Sequence, residues 1–288
     1  GISEITLLGQ TVNAYGRHAL RRAGAAGGVV PPQVIGFADL LGELDAIAGL
    51  RRLRYTSPHP AFFDDQLVRA HGELESLCPH VHLPVQAGSD RMLERMRRRY
   101  TGDEYRRLVA RLRDRRPDLA ITTDLIVGFP GETEADFEQT LRLVDDIQFT
   151  DSFIFKYSPR PKTAAAAMPE AVEEEVAQVR LERLQQQQRS LTLEAHRARV
   201  GERTEVLVEG PSRRGGSQRT GRDPYNRVVN FPITLDGVGE AVEAGDWLDV
   251  DLVDATPHSL IGEPVSDAAP NLRPDWEQPL PKRPLTLP

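Results

Sequence analysis

The chain has 288 residues, 39% hydrophobic and 27% charged, with a net charge of −7, which suits one large folded domain plus a small one and gives no general sign of nucleic-acid binding. Its 33 arginines against 3 lysines point to genome composition before phosphate selection. Cys78 is the only cysteine, which excludes a disulfide framework and a zinc or iron–sulfur site built from this chain's own thiols. No apolar run approaches the ~20 residues of a membrane span, and no signal peptide is visible.

The chain opens at Gly1 without Met and enters a strand almost at once, so a fragment or a trimmed chain is expected. Residues 3–9, 51–57, 80–86, 119–127 and 151–157 read as five short strands, and residues 37–50, 64–71, 89–98, 103–116 and 133–147 as helices. Strands alternating with helices predict parallel βα units in an α/β sheet or barrel. The Gly-, Ala- and Arg-rich segment 17–32 is expected to be a mobile loop. Residues 170–199 form a helical connector, with Val176, Val179, Leu184, Leu191 and Leu193 expected to pack. Beyond it, 203–209, 216–222, 226–231, 246–253 and 258–263 alternate and are broken by Gly, Pro and Asp, which predicts a small β-barrel. Seven prolines from Pro264 onward predict a disordered tail over 266–288.

The carboxyl end of each of the first five strands carries polar or Gly/Pro residues, the place where α/β barrels put ligands. The first runs into Gly9-Gln10-Thr11-Val12-Asn13, the second into Thr56-Ser57-Pro58-His59-Pro60. The third gives Gln86-Ala87-Gly88-Ser89-Asp90, the fifth Ser158-Pro159-Arg160-Pro161. The fourth is the most telling. An apolar β-branched run over 121–127 breaks into Gly128-Phe129-Pro130-Gly131, and Glu132-Thr133 then open a helix. Glycine permits close backbone approach and positive φ, and proline sets the turn. Five such ends at one edge predict a shared site.

Several residues keep a bland reading beside the functional one. Ser89 is either a helix N-cap or a cavity residue. His82 reads as a core histidine, His59 as a turn residue that could line the site, and Cys78 as a semi-buried small residue. The basic stretches 95–99 and 106–116 read as solvated faces, or as phosphate contacts if the partner is RNA. Residues 200–265 hold 12 acidic residues against 6 arginines. Yet Arg213, Arg214, Arg219, Arg222 and Arg227 cluster within 211–230 beside Asp223 alone. That basic hairpin on an acidic module suits focal phosphate contact. Changing Arg51 and Arg52, at the opposite end of a barrel strand from the proposed site, is expected to alter RNA binding little.

The segments LLGQTVNAYG (7–16), HLPVQAGSDRML (82–93), DLIVGFPGET (124–133), YSPRPKTAAAAM (157–168) and TGRDPYNRVVNF (220–231) resemble the radical-SAM methylthiotransferases, the last within a barrel like the RNA-binding TRAM domain. Gln10-x-Val-Asn13-Ala-Tyr15 resembles the branch acting on N6-isopentenyladenosine beside the tRNA anticodon. The resemblance implies methylthiolation of carbon 2 of the adenine. S-adenosylmethionine yields a 5′-deoxyadenosyl radical, a second S-adenosylmethionine supplies the methyl group, and an auxiliary cluster carries sulfur. It also implies two 4Fe-4S clusters in the intact enzyme, a reductant protein, a cytoplasmic monomer and no membrane contact. Carried over, Gln10, Asn13, Ser57, Gln86 and Ser89 line the cofactor cavity with Asp124, and Gly128, Phe129 and Pro130 pass along the adenine. Arg213, Arg214, Arg219, Arg222, Asn226 and Arg227 hold tRNA.

Ala87 stands where the family has Ser, and Lys162 where it has Gly. The larger departure is the missing cluster thiolates. The expectation is therefore an incomplete radical-SAM (β/α) barrel over 1–169, its first strand and cluster loop missing, the connector over 170–199, and a TRAM-like β-barrel over 200–265. Alone it should be inactive. Two alternatives stay open: a non-catalytic RNA-binding protein that has lost its clusters, and a sibling enzyme acting on threonylcarbamoyl-adenosine or a ribosomal protein.

Overall fold

The structure, a computed structural model, describes residues 2–25, 34–212, 218–232 and 242–265. The Pro-rich tail, Arg213 and Arg214 lie outside the described residues.

Five short parallel strands form the first half: β1 (Glu4–Leu7), β2 (Arg52–Tyr55), β3 (His80–His82), β4 (Ala120–Val127) and β5 (Asp151–Lys156). β1 pairs with β2, and β4 lies between β3 and β5. A lone bridge from Leu53 to Leu77 links the two groups. The alternation is two-faced. Leu53, Val81, Ile121, Leu125 and Val127 point outward into a core shared with the helices and are fully buried. The inner face of β5 carries Phe153 and Phe155, 57% and 54% exposed.

The helices are α1 (Arg17–Ala25), α2 (Phe37–Asp45), α3 (Asp65–Glu73), α4 (Asp90–Arg95), α5 (Gly102–Arg115), α6 (Glu134–Ile147) and α7 (Glu174–Arg197). Capping boxes start α5 (Thr101 with Glu104) and α6 (Thr133 with Asp136), satisfying backbone N–H groups that otherwise lack partners. Two expectations are corrected. Residues 17–25 are helical rather than loop, because Arg and Ala are strong helix formers and no proline interrupts them. On α7, Val176 and Val179 are 41% and 54% exposed. The inward stripe is Ala177, Arg180, Leu184, Gln188, Thr192 and His196, set almost wholly by i+4 spacing.

The second half is a closed five-stranded barrel of β6 (Arg203–Pro211), β7 (Gln218–Arg222), β8 (Val228–Pro232), β9 (Trp247–Ala255) and β10 (Leu260–Pro264), in the order β10-β8-β7-β6-β9. Its core is Val206, Val208, Val229, Phe231, Leu248, Val250, Leu252 and Leu260.

This small barrel sits against the amino-terminal ends of the parallel strands. Arg52 donates to the carbonyls of Glu205 (2.6 Å) and Arg222 (2.9 Å). Arg54 donates to the carbonyls of Asp223 (2.7 Å) and Pro224 (3.0 Å). The Trp247 indole N–H donates to Ser3 Oγ at 3.0 Å, and the Arg51 and Arg52 guanidiniums lie over its ring. Arg51 and Arg52 thus lie in the seam between the two domains. They hold the two domains together.

Candidate functional site at the carboxyl edge of the sheet

The opposite edge is built differently. Three successive strands end in left-handed backbone: Ser57 (φ 57°), Gln86 (φ 78°) and Gly128 (φ 72°). For the two non-glycine residues this conformation costs roughly 1–3 kcal/mol each. At Gln86 it is held by the sheet itself: its N–H donates to the Asp124 carbonyl and its carbonyl accepts from Ile126, both at 2.9 Å.

Beside Gln86 opens a cavity of about 490 Å³, walled by Ile126, Phe129, Phe155 and Tyr157 with Ser158, Arg160 and Thr163 at its polar side. The size is that of a small-molecule site. Phe129 and Tyr157 meet edge to face at 5.1 Å. The Tyr157 hydroxyl is buried with no hydrogen-bond partner among the described residues, a group that a bound polar atom would satisfy. Apolar walls with one orphaned hydroxyl, an amide and a guanidinium fit a ligand such as S-adenosylmethionine, with its flat base and charged end.

The Gly128 loop is held from behind. The Gly128 N–H donates to Glu132 Oε2 at 2.7 Å, and Arg180 of α7 reaches the same carboxylate at 3.0 Å. Pro130 O accepts from Arg95 at 3.1 Å, and the Gly131 N–H donates to Glu170 O at 2.7 Å. Burial pushes the Glu132 carboxyl up, opposed by the Gly128 N–H and Arg180. A Cβ on Gly128 would meet Ala177 Cβ at 2.8 Å. The glycine is thus required by the close approach of α7. Of this loop, Phe129 lines the cavity.

Other expected cofactor residues are placed apart. Asn13 is buried and bonded twice to the His59 backbone, Nδ2 donating to its carbonyl (3.0 Å) and Oδ1 accepting its N–H (2.9 Å). It ties the loop after β1 to the loop after β2. Ser89 is the buried N-cap of α4 and donates to Asp136 Oδ1 at 2.5 Å. Burial opposes charge on Asp136, but Arg91, Ser89 and Thr133 hold its carboxyl well below the usual range. Gln10 and Ser57 are exposed at the rim. Asp124 lies deeper on the inner face, with Oδ1 3.4 Å from His82 Nε2.

Of the described arginines in the basic hairpin, only Arg227 is buried. Arg227 is buried between the domains and donates to Thr150 Oγ1 (2.6 Å) and Asp151 Oδ2 (3.1 Å). Arg222 donates to Glu209 Oε1 (2.9 Å) and to the carbonyl of Asn226 (3.1 Å), itself a left-handed turn residue. Arg219 donates to Val242 O at 2.8 Å. Asp223 is fully buried, bonded to Arg199 and to the Arg227 N–H. Most of this turn serves docking rather than open surface.

Sequence reading missed Tyr157, Glu132 and Arg180. Glu132 follows the Gly/Pro loop and could have been found as its likeliest acceptor; Arg180, 48 residues on, carries no local signal. Iron–sulfur clusters do not fit these residues. Cys78 is buried beside the sealed end, and burial pushes its thiol up. Among the described residues no three His, Cys, Asp or Glu side chains gather to hold a metal ion.

Comparison with known proteins gives this edge its context. The Radical SAM superfamily model matches residues 1–144, and the TRAM domain model matches 197–265. The tRNA-2-methylthio-N(6)-dimethylallyladenosine synthases of Geobacter metallireducens and Acidithiobacillus ferrooxidans are 47% and 48% identical over 91% of this chain. Synthase 1 of Mycobacterium marinum is 46% identical over 91%. The match covers 55%, 54% and 50% of those proteins respectively, so the chain spans about half the length of the curated relatives it matches. Half of the chain carries the superfamily pattern, on parallel strands whose carboxyl ends form a ligand-sized cavity, and the chain belongs to the radical SAM superfamily.

Proposed function

We propose that this chain is the carboxyl-terminal part of a cytoplasmic tRNA-modifying enzyme that adds a methylthio group to carbon 2 of N6-isopentenyladenosine beside the anticodon. The observation that carries the reading is the cavity at the carboxyl edge of β3–β5, in a chain 46–48% identical to such synthases. S-adenosylmethionine, when bound, supplies a radical and a methyl group. The chain's own residues bind and orient it. Phe129 and Ile126 flank the base and exclude water, Tyr157 and Gln86 offer hydrogen bonds, and Arg160 faces the carboxylate. Glu132 and Arg180 keep Phe129 in place. One cysteine cannot supply the cluster thiolates, which belong to residues outside this chain, and a reductant protein serves the cluster. tRNA is the partner, and the enzyme acts as a monomer.

The test is mass spectrometry of tRNA nucleosides from a strain lacking the gene. Loss of 2-methylthio-isopentenyladenosine, with the unthiolated nucleoside accumulating and threonylcarbamoyl-adenosine derivatives unchanged, is expected. Unchanged methylthio content would overturn the assignment.

A further inference from the structure

The described arginines of the small barrel are engaged within the protein, whereas another basic group is not. At the carboxyl edge, Arg97, Arg98 and Arg99 follow α4, and their side chains enter no hydrogen bond or ion pair among the described residues. Arg97 is itself in the left-handed region at φ 57°. The rings beside them form a continuous strip. The Arg17 guanidinium lies 4.7 Å over Phe62, Phe62 is 5.2 Å from His59, and His59 is 5.6 Å from Tyr100. Arg98 and Arg99 are close enough for their charges to add to burial in lowering the His59 pKa. Acidic residues are scarce here. None occurs over 8–36, 56–63 or 95–103 apart from Asp103. The neighbouring Glu104 is turned onto the Thr101 N–H at 2.8 Å.

Unpaired cations alternating with partly exposed rings match what a single-stranded nucleic acid requires: charge for the phosphates and faces for unstacked bases. A protein partner would need acidic side chains to meet these arginines. We propose that Arg17, Phe62, His59, Arg98 and Arg99 form an RNA-loop binding strip on the α/β barrel, beside the cavity rather than on the small barrel. The proposal rests on the tRNA reading above and deepens it by naming which surface receives the loop. Arg98 and Arg99 neutralise phosphates, and Phe62 and His59 accept a stacked base.

The test is a salt titration of binding to an RNA hairpin with a seven-nucleotide loop, against a fully duplex RNA of equal length. Arg98→Gln with Arg99→Gln should weaken hairpin binding about tenfold and flatten the slope of log affinity against log salt by about 1.4, two single-strand contacts of ~0.7 each. The paired Arg→Lys changes should keep the slope. Phe62→Leu should reduce the preference for hairpin over duplex. Hairpin affinity within twofold of the parent in the Gln double variant would overturn the strip. If Arg219→Gln with Arg222→Gln abolishes binding instead, the strip fails while the tRNA reading stands. If the parent chain binds no RNA at low salt, both fall.

Discussion

The two ends of the parallel sheet follow opposite rules. At the amino-terminal end, Arg52, Arg54 and Arg227 are buried and matched to carbonyls and carboxylates of the neighbouring domain. At the carboxyl end, Arg97, Arg98 and Arg99 have no ion pair among the described residues, backbone is left-handed at Ser57, Gln86 and Gly128, and a tyrosine hydroxyl lacks a partner. Satisfied polar groups in a dry interface fix one geometry. Unsatisfied ones, kept in place by the sheet behind them, are groups held ready for something else. Stabilising contacts at one end and a ligand-sized cavity at the other are the division expected of an α/β barrel. Here the small barrel serves as the closure of the stable end.

The comparison breaks most visibly at Asp223. Its carboxylate, fully buried, accepts from Arg199 and from the Arg227 N–H. Asp223→Ala leaves Arg199 with Glu202 as its one carboxylate among the described residues and the buried Arg227 N–H without an acceptor, a loss of about 3 kcal/mol. Urea denaturation should show the single transition of the parent moved to lower urea or split in two. An unchanged midpoint would mean that the dock contributes nothing.

Acid gives a second probe. Burial, helped by the Arg116 charge, lowers the pKa of His71 to about 3, and its Nε2 lies 2.6 Å from the Tyr55 hydroxyl. The folded value is below the unfolded one of ~6.5, so the fold holds the neutral ring. Its contribution is complete above pH ~6.5 and is lost as pH falls toward about 3, at up to ~1.4 kcal/mol per pH unit. Stability measured between pH 7 and 4 should fall with that slope and less steeply in His71→Gln. Equal slopes would assign the acid response to other groups.

The smallest effect sharpens the account of the Gly128 loop. Gly128→Ala places a methyl 2.8 Å from Ala177 Cβ in backbone at φ 72°, at a cost of about 1–3 kcal/mol. Adding Ala177→Gly should recover the steric share but not the backbone share. Thermal unfolding of the single and double variants measures both. A double variant no better than the single would remove α7 as the reason for the glycine.

Local chemistry made much of this fold legible. Alternating apolar residues and their Gly/Pro terminators marked both sets of five strands, because period-2 patterning and turn chemistry are properties of neighbouring residues. The Gly128 loop stood out for the same reason. The segment 17–25 was misread because glycine and alanine were weighed as loop formers when arginine and alanine favour helix. Candidate site residues were legible as an edge but not as roles. Asn13 and Ser89 are polar in any reading, and only their partners, His59 and Asp136, 46 and 47 residues away, commit them to structure.

By itself, then, the sequence determined the order of the elements, the two domain types and the edge at which ligands meet the sheet. Tertiary structure alone decided which arginines are free. Arg227 and Arg98 are indistinguishable as residues in basic stretches. One is buried against Asp151, 76 positions earlier, and the other has no ion pair among the described residues. The reason is physical: charge pairing depends on distance in space and on the water removed by burial, and neither is encoded within a few residues of the charge.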